Sequence, residues 1–334
     1  MVGNLNNLSD VLSRYKDRKK FVLVDENTST HCLNKLIENV DYLEGTEILE
    51  IGAGENNKSL GIVGELSHAM LESHADRDSL LLCLGGGMIT DLGGFLASVF
   101  KRGIDHILTP TSLMAMIDAS IGGKTSVNLD TYKNQLGSFY NPILTAIHPG
   151  FLDTLPKRHI INGLAEIIKM ALISDEEIWE EIERTDSIDA GFFDDSIILR
   201  AIELKKRIVE QDPYEKNIRK VLNFGHTLGH LFESLALGQN RDLLHGEAVA
   251  SGIYYAIKLS EARLGFPKAE RVYKLLEKYY KIEGIDIDIS EFERYLIADK
   301  KTKNEEINLV LLEDVSKPII DYRISVEELY AELL

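Results

Sequence analysis

Cysteine is almost missing: Cys32 and Cys83 are the two in 334 residues, so the chain has no disulfide framework. Cys83 lies inside Leu80-Leu81-Leu82-Cys83-Leu84 and reads as a small buried hydrophobe. No stretch approaches the roughly 18 consecutive apolar residues of a membrane span. The opening MVGNLNNLSDVLSRYKDRKK lacks the apolar core of an export signal, so the expected compartment is the cytoplasm. Positive charge is scarce as well. With 37 Lys and Arg against 54 Asp and Glu, the formal charge of −17 opposes the counterion release that drives nucleic-acid binding. Nucleic acid and anionic membrane are therefore excluded as expected partners. Internal repeats and low-complexity tracts are also absent.

What is present is ample apolar material, 44% hydrophobic against 27% charged, enough for substantial cores. At roughly 100–200 residues per domain the length predicts two domains. Residues 1–150 alternate short apolar runs with helix-like stretches. The runs are Phe21 to Val24, Glu47 to Ile51, Leu80 to Leu84, His106 to Leu108 and Ile143 to Ile147. That order predicts a parallel sheet covered by helices. Residues 151–334 are dominated by 3.6-residue periodicity over 158–173, 195–211, 245–264 and 269–281, and predict a mostly helical domain. Ile307 to Leu312 fits either a strand among those helices or a buried helical segment.

Glycine clusters at 85–87, 93–94 and 122–123 are expected near strand ends or turns. Leu84-Gly85-Gly86-Gly87-Met88-Ile89-Thr90-Asp91 follows an apolar strand and precedes a helix expected to start near Asp91. Its backbone can approach a phosphate at a helix N-terminus, although it is not a G-x-G-x-x-G fingerprint and fits a structural tight turn as well. Gly122-Gly123-Lys124-Thr125 looks like the end of a P-loop, but Asp118 stands where the motif requires glycine, which disfavours a nucleoside triphosphatase. Arg102, Lys133 and Asn134 add donors suited to phosphate or carboxylate.

The second half carries the stronger chemistry. Glu166 lies between Leu164-Ala165 and Ile167-Ile168, where a buried carboxylate needs a cation or a metal. Lys169, three residues on, offers the blander alternative of an i,i+3 pair worth about 0.2–0.5 kcal/mol. His226 and His230 are four apart and share a helix face, and His245 follows in Leu244-His245-Gly246-Glu247-Ala248. Two histidines and a carboxylate form a common catalytic metal set. Thr227-Leu228-Gly229 between the first two histidines lacks the glutamate of H-E-x-x-H, so a metalloprotease is excluded.

Taken together, GGGMITDLGGF, TPTSLMAMIDASIGGKTSVN, YKNQLGSFYNP, FLDTLP, GLAEIIK, LNFGHTLGH, HGEAVA and DKK, from about Asp25 to Leu312, resemble the 3-dehydroquinate synthases, which are sugar phosphate cyclases. The resemblance implies an α/β N-terminal Rossmann-like domain that binds NAD. It also implies a mostly α-helical C-terminal domain, an active site between the two, and a homodimer. It further implies one divalent metal, Zn or Co, on Glu166, His226 and His245. NAD contacts are implied for Asp25, Asn27, Glu55, Lys58, Gly87, Met88, Ile89, Thr90, Asp91, Thr111, Ser112, Lys124, Lys133 and Thr154. Catalytic roles fall to Lys124, Lys169, Lys205, His230, Asn134 and Asp118, and substrate binding to Arg102, Arg219, Asn223 and Lys300.

The substrate so implied is the small phosphorylated sugar acid 3-deoxy-D-arabino-heptulosonate 7-phosphate. The implied route is transient oxidation by NAD, phosphate elimination, re-reduction, ring opening and intramolecular aldol closure. Gln135, His148 and the stretch 302–306 depart from the family pattern, whereas Lys205, Arg219, Asn223, His230 and Lys300 keep it. That favours dehydroquinate over the products of sister cyclases. Other readings are a sister cyclase, a metal- and NAD-dependent alcohol or glycerol-phosphate dehydrogenase, and an inactive binding protein with the same fold.

Overall fold

The central strands of the first half form where β-rich apolar runs are buried on both faces. A computed structural model describes residues 2–130, 132–298, 302–303 and 306–333. The chain divides into two units, Met1–Ile160 with Ala190–Ile198, and Ile161–Asp189 with Leu199–Leu334.

In chain order the first unit contains β1 (Val2–Gly3), α1 (Leu5–Ser13), β2 (Lys20–Asp25), α2 (Glu26–His31), α3 (Leu33–Asn39) and β3 (Glu47–Ile51). There follow α4 (Leu60–Glu72), β4 (Leu80–Gly85), α5 (Gly87–Val99), β5 (Asp105–Pro110), β6 (Lys124–Leu129), β7 (Tyr132–Phe139) and β8 (Leu144–Ala146). Six strands make one sheet in the order β1-β8-β5-β4-β2-β3, with every pairing parallel. β2 and β4 are buried along their whole length, as strands covered on both faces must be. The chain moves from β2 to β3 on one side, then returns to place β4 on the other side of β2. The order therefore reverses between β2 and β4, and ligands of open α/β sheets bind beyond the carboxyl ends at such a reversal. Asp25 and Gly85 end those two strands.

Two expectations about glycine need correction. The helix after β4 begins at Gly87, not near Asp91, so the glycine run itself forms the helix start. Gly93 and Gly94 lie inside α5, not at a turn. A Cβ at Gly93 would sit 2.3 Å from Cys83 Sγ, and one at Gly94 would sit 2.6 Å from Thr125 Cγ2. The pair lets α5 lie closely on β4 and β6. Cys83 is fully buried in the core that includes Phe21, Leu23, Ile89 and Leu92, and burial pushes its thiol pKa up.

The remaining elements are α6 (Lys157–Ser174), α7 (Glu176–Arg184), α8 (Asp195–Gln211), α9 (His226–Gly238), α10 (His245–Leu264), α11 (Ala269–Tyr279) and α12 (Ile289–Ala298). They are followed by β9 (Thr302–Lys303), β10 (Glu306–Asp314), β11 (Lys317–Ser325) and α13 (Val326–Leu333). Ile307 to Leu312 is a strand: β10 pairs antiparallel with both β11 and β9. In the second unit Leu228, Phe232 and Leu235 of α9 share a core with Leu259 of α10, Phe292 of α12, and Leu309 and Leu311 of β10. Among the described residues no helix is long and apolar enough to cross a membrane.

Candidate functional site

In the second unit Glu166 on α6, His226 at the first position of α9 and His245 at the first position of α10 come together. One ligand-type atom from each lies within 4.8 Å of the others. Glu166 Oε1 is 3.3 Å from His226 Nε2 and 3.8 Å from His245 Nε2. Glu166 is 1% exposed, and Lys169 pairs with its other oxygen. The i,i+3 pair is thus formed, and fully buried, beside the histidines.

The protons on the two rings follow from their neighbours. His226 Nδ1 lies 3.2 Å from the carbonyl of Phe224, and His245 Nδ1 lies 3.2 Å from Glu233 Oε2. Carbonyls and carboxylates only accept, so each Nδ1 carries the proton and each Nε2 presents a lone pair. Burial pushes the His226 imidazole pKa down to about 4, Lys169 adding to the effect and Glu166 opposing it, so the ring is neutral near pH 7. Burial also raises the Glu166 carboxyl, but Lys169, His226 and His245 outweigh it and hold the group well below the usual carboxylate range. Neither oxygen of Glu166 receives a well-directed hydrogen bond. Three lone pairs therefore converge on one point, and a cation there resolves their mutual repulsion.

Glycines explain how three distant segments reach that point. A Cβ on Gly246 would lie 1.9 Å from the carbonyl oxygen of Asn162, one helical turn before Glu166. Gly246 N–H also donates to Asn162 Oδ1 at 2.6 Å, which fixes the start of α10 on α6. A Cβ on Gly252 would lie 1.9 Å from the carbonyl oxygen of Gly225. Gly225 has φ of 76°, a left-handed conformation that suits glycine, and directly precedes His226. Glu247 accepts the N–H of Leu244 at 2.9 Å, so this glutamate caps α10.

His230 follows His226 on the same face of α9, with ring centroids 5.8 Å apart, but stands outside the three-residue group. Lys205 on α8 and Arg219 are buried at 6% and 2% exposure. Arg219 donates from Nη1 to the carbonyl of Pro213 at 2.6 Å, and Asn223 donates to Glu215 Oε1 at 2.7 Å. Lys300 lies outside the described residues. Sequence reasoning missed Asp212, whose carboxylate accepts the N–H groups of Lys216, Asn217 and Arg219 at 3.0, 2.6 and 3.2 Å. The Asp-Pro step after α8 was the available signal. It also missed Glu215 and Glu233.

In the first unit a second cluster forms near the strand reversal. Lys58, 3% exposed, donates to Asp91 Oδ2 at 2.6 Å and to Asn134 Oδ1 at 2.5 Å, and is 3.8 Å from Glu55. Burial pushes the Asp91 carboxyl up, while Lys58 pulls it back. Ser126 and Asn128, neither anticipated, complete the cluster. Ser126 Oγ donates to Asn134 Oδ1 at 2.8 Å, and Asn128 accepts the N–H of Asn134 at 2.9 Å and donates to Glu55 Oε1 at 3.0 Å. Lys124, Ser126 and Asn128 alternate along β6, a period-two signal present in the sequence.

Gly87, Met88, Ile89 and Thr90 form the first turn of α5, whose cap residue Gly86 supplies no side-chain hydrogen bond. Its N–H groups suit an anion. Asp25 caps α2, accepting the N–H and hydroxyl of Thr28 at 2.8 and 3.0 Å, and Asn27 is exposed on that helix. Thr111 donates its N–H to Gly85 O at 3.0 Å, and Ser112 Oγ accepts from Ala115 N–H at 3.3 Å. Asp118 sits in the π-type turn Ala115–Ala119. Lys124, Lys133 and Thr154 are exposed. Arg102 stands apart: it follows the C-terminus of α5, whose 13 residues separate it by about 20 Å from the Gly87 end.

Comparison with known proteins places these features in a family. The pattern described as 3-dehydroquinate synthase N-terminal matches residues 48–162, and that described as 3-dehydroquinate synthase C-terminal matches 163–302. The 3-dehydroquinate synthase of Parabacteroides distasonis is 40% identical over 330 residues, covering 98% of this chain and 93% of that protein. A 2-epi-5-epi-valiolone synthase from Streptomyces hygroscopicus, solved with NAD+ and Zn2+ bound, superposes with a TM-score of 0.85. It is 28% identical over 100% of this chain and 94% of its own. Glycerol dehydrogenase from Schizosaccharomyces pombe shares the fold alone, at 15% identity and a TM-score of 0.62 over 100% of this chain and 87% of its own. With the two patterns together matching residues 48–302 and the likeness to a relative spanning nearly all of the chain, it belongs to the 3-dehydroquinate synthase family.

Proposed function

We propose that the protein is a phosphate-eliminating lyase that converts 3-deoxy-D-arabino-heptulosonate 7-phosphate to 3-dehydroquinate and phosphate, with NAD and one divalent ion as cofactors. The observation that carries this reading is the convergence of three lone pairs from Glu166, His226 and His245, within a chain 40% identical to a 3-dehydroquinate synthase. We assign most NAD contacts to the domain 1–150, and the metal ligands with the remaining substrate contacts to the domain 151–334.

Glu166, His226 and His245 would hold Zn or Co, which a site of this donor type accepts. Bound there, the ion would supply Lewis-acid polarisation of a substrate hydroxyl, and NAD would supply reversible hydride acceptance. Lys169 forms an ion pair that balances the charge of Glu166, and is assigned a catalytic role beside it. His230, whose ring centroid lies 5.8 Å from that of His226, is assigned a proton-transfer role. Lys205 and Arg219 supply buried positive charge for the phosphorylated substrate, and Asn223 supplies an amide; Lys300 is assigned to the same task. In the first unit Glu55, Lys58 and Asp91, with the first turn of α5, would hold the dinucleotide. Asp25, Asn27, Thr111, Ser112, Lys133 and Thr154 are assigned to its remainder. Lys124, Asn134 and Asp118 are assigned to the substrate side; Arg102, which stands apart from the Gly87 end, is retained from the family resemblance as a substrate contact. The reading includes a homodimer in the cytoplasm, expectations retained from the family resemblance.

The test is phosphate release from 3-deoxy-D-arabino-heptulosonate 7-phosphate with catalytic NAD. Chelator-sensitive release, with dehydroquinate formed and no NADH accumulating, is the expected result. Net NADH would indicate a dehydrogenase instead. Silence from folded, metal-loaded protein would favour a sister cyclase.

A further inference from the structure

Glu233 has no part in the scheme above, yet it faces a metal-ligand histidine. It lies on α9, seven residues after His226 and three after His230, so the three side chains follow one helix face at i, i+4 and i+7. Its carboxylate, about one-tenth exposed, is 3.2 Å from His245 Nδ1, while Nε2 of the same ring points toward Glu166. His245 sits on α10, where its own helix offers Glu247; that carboxylate is already taken by the N–H of Leu244.

We infer that Glu233 is a positioning residue that fixes the tautomer and ring orientation of His245 and so sets the affinity of the metal site. A carboxylate can only accept from Nδ1–H, which leaves the Nε2 lone pair for the ion and makes the imidazole a stronger donor. One rigid helix then controls two ligands. It carries His226 directly, oriented by the Phe224 carbonyl, and holds His245 of the next helix through Glu233. His245 is the more exposed of the two histidines, its side chain 33% accessible against 12%, and has the greater need of an external hold. The inference rests on the metal reading proposed above.

The test measures Zn2+ affinity by competition with a chromogenic chelator, and the visible spectrum with Co2+, for wild type, Glu233→Ala and Glu233→Gln. Loss of an orienting partner of this kind weakens metal binding about 10- to 100-fold. Glu233→Ala is expected to show that loss, with a shifted Co2+ spectrum. Glu233→Gln, equal in shape and still able to accept from Nδ1–H, is expected to lose less. Wild-type affinity and spectrum in both variants would overturn the inference. Should Glu233→Ala fail to fold, Glu233→Met, which fills the space without an acceptor, decides: an unchanged affinity and spectrum refutes the role, and a weaker affinity with a shifted spectrum supports it. A wild-type protein that binds no Zn2+ would overturn the metal reading itself and this inference with it, a result distinct from wild-type metal binding that is indifferent to residue 233.

Discussion

Gly252 and Gly225 touch backbone to backbone, and a single added carbon on Gly252 would come within 1.9 Å of the Gly225 carbonyl oxygen. Because Gly225 immediately precedes His226, this contact sets the distance between α10 and a proposed metal ligand. Gly252→Ala should therefore cost about 3 kcal/mol, the upper end of overpacking, and weaken Zn2+ binding although residue 252 touches no ligand atom. Urea denaturation together with metal titration checks both effects. Unchanged metal affinity would mean the close approach is not needed for the site.

His245 is one-third exposed, so removing its ring leaves little buried cavity. His245→Ala is expected to abolish metal binding and turnover while the far-UV circular dichroism stays native. Full activity in a metal-depleted sample of this variant would remove the residue from the site.

Lys58 is buried against Asp91, whose carboxyl burial already pushes up. Lys58→Met leaves that carboxylate unbalanced and should cost about 1–3 kcal/mol, less than a fully buried pair because Asp91 keeps some exposure. A carboxyl whose folded pKa is raised is best tolerated protonated, so the variant should be hurt more at pH 7 than at pH 5. Adding Asp91→Asn should restore most of the stability. NAD binding, followed by calorimetry, should remain impaired in both proteins.

His106, on β5, is 1% exposed, stacks on Tyr140 at 5.2 Å, and has no hydrogen-bond partner on either ring nitrogen. Burial pushes its pKa down to about 4, with the nearby Asp105 opposing the shift, so the unfolded chain binds its proton first as pH falls from 6.5. Stability from the neutral ring is complete above 6.5 and declines down to about pH 4. Between pH 7 and pH 5 the loss is about 2 kcal/mol. Urea midpoints at the two values should show it, and His106→Leu should remove most of that difference.

The parallel sheet was readable because strands buried on both faces are continuous apolar runs. The long helices of the second unit were readable from their 3.6-residue period. β11 was not, since Lys317–Ser325 buries little and its pairing with β10 rests on the backbone. The Gly93-Gly94 pair misled because glycine marks a turn and a close helix–sheet contact equally well. Glu166, His226 and His245 could be singled out by residue type and family motif, but no spacing relates α6 to α9 or α10. Their meeting depends on Gly246 and Gly252, whose need for close approach appears only when the neighbouring backbone is in place. Glu233 was within reach, one more step along the face already traced through His226 and His230.

The three proposed ligands lie 60 and 19 residues apart along the chain, the first interval containing α7 and α8 and the second containing α9. A bound ion thus acts as a removable cross-link that closes two loops of the second unit. Its occupancy becomes a term in folding stability, growing with the logarithm of free metal above the dissociation constant. Preparations of unequal metal content should differ in melting temperature as well as in activity, and a partly loaded sample should melt as a mixture.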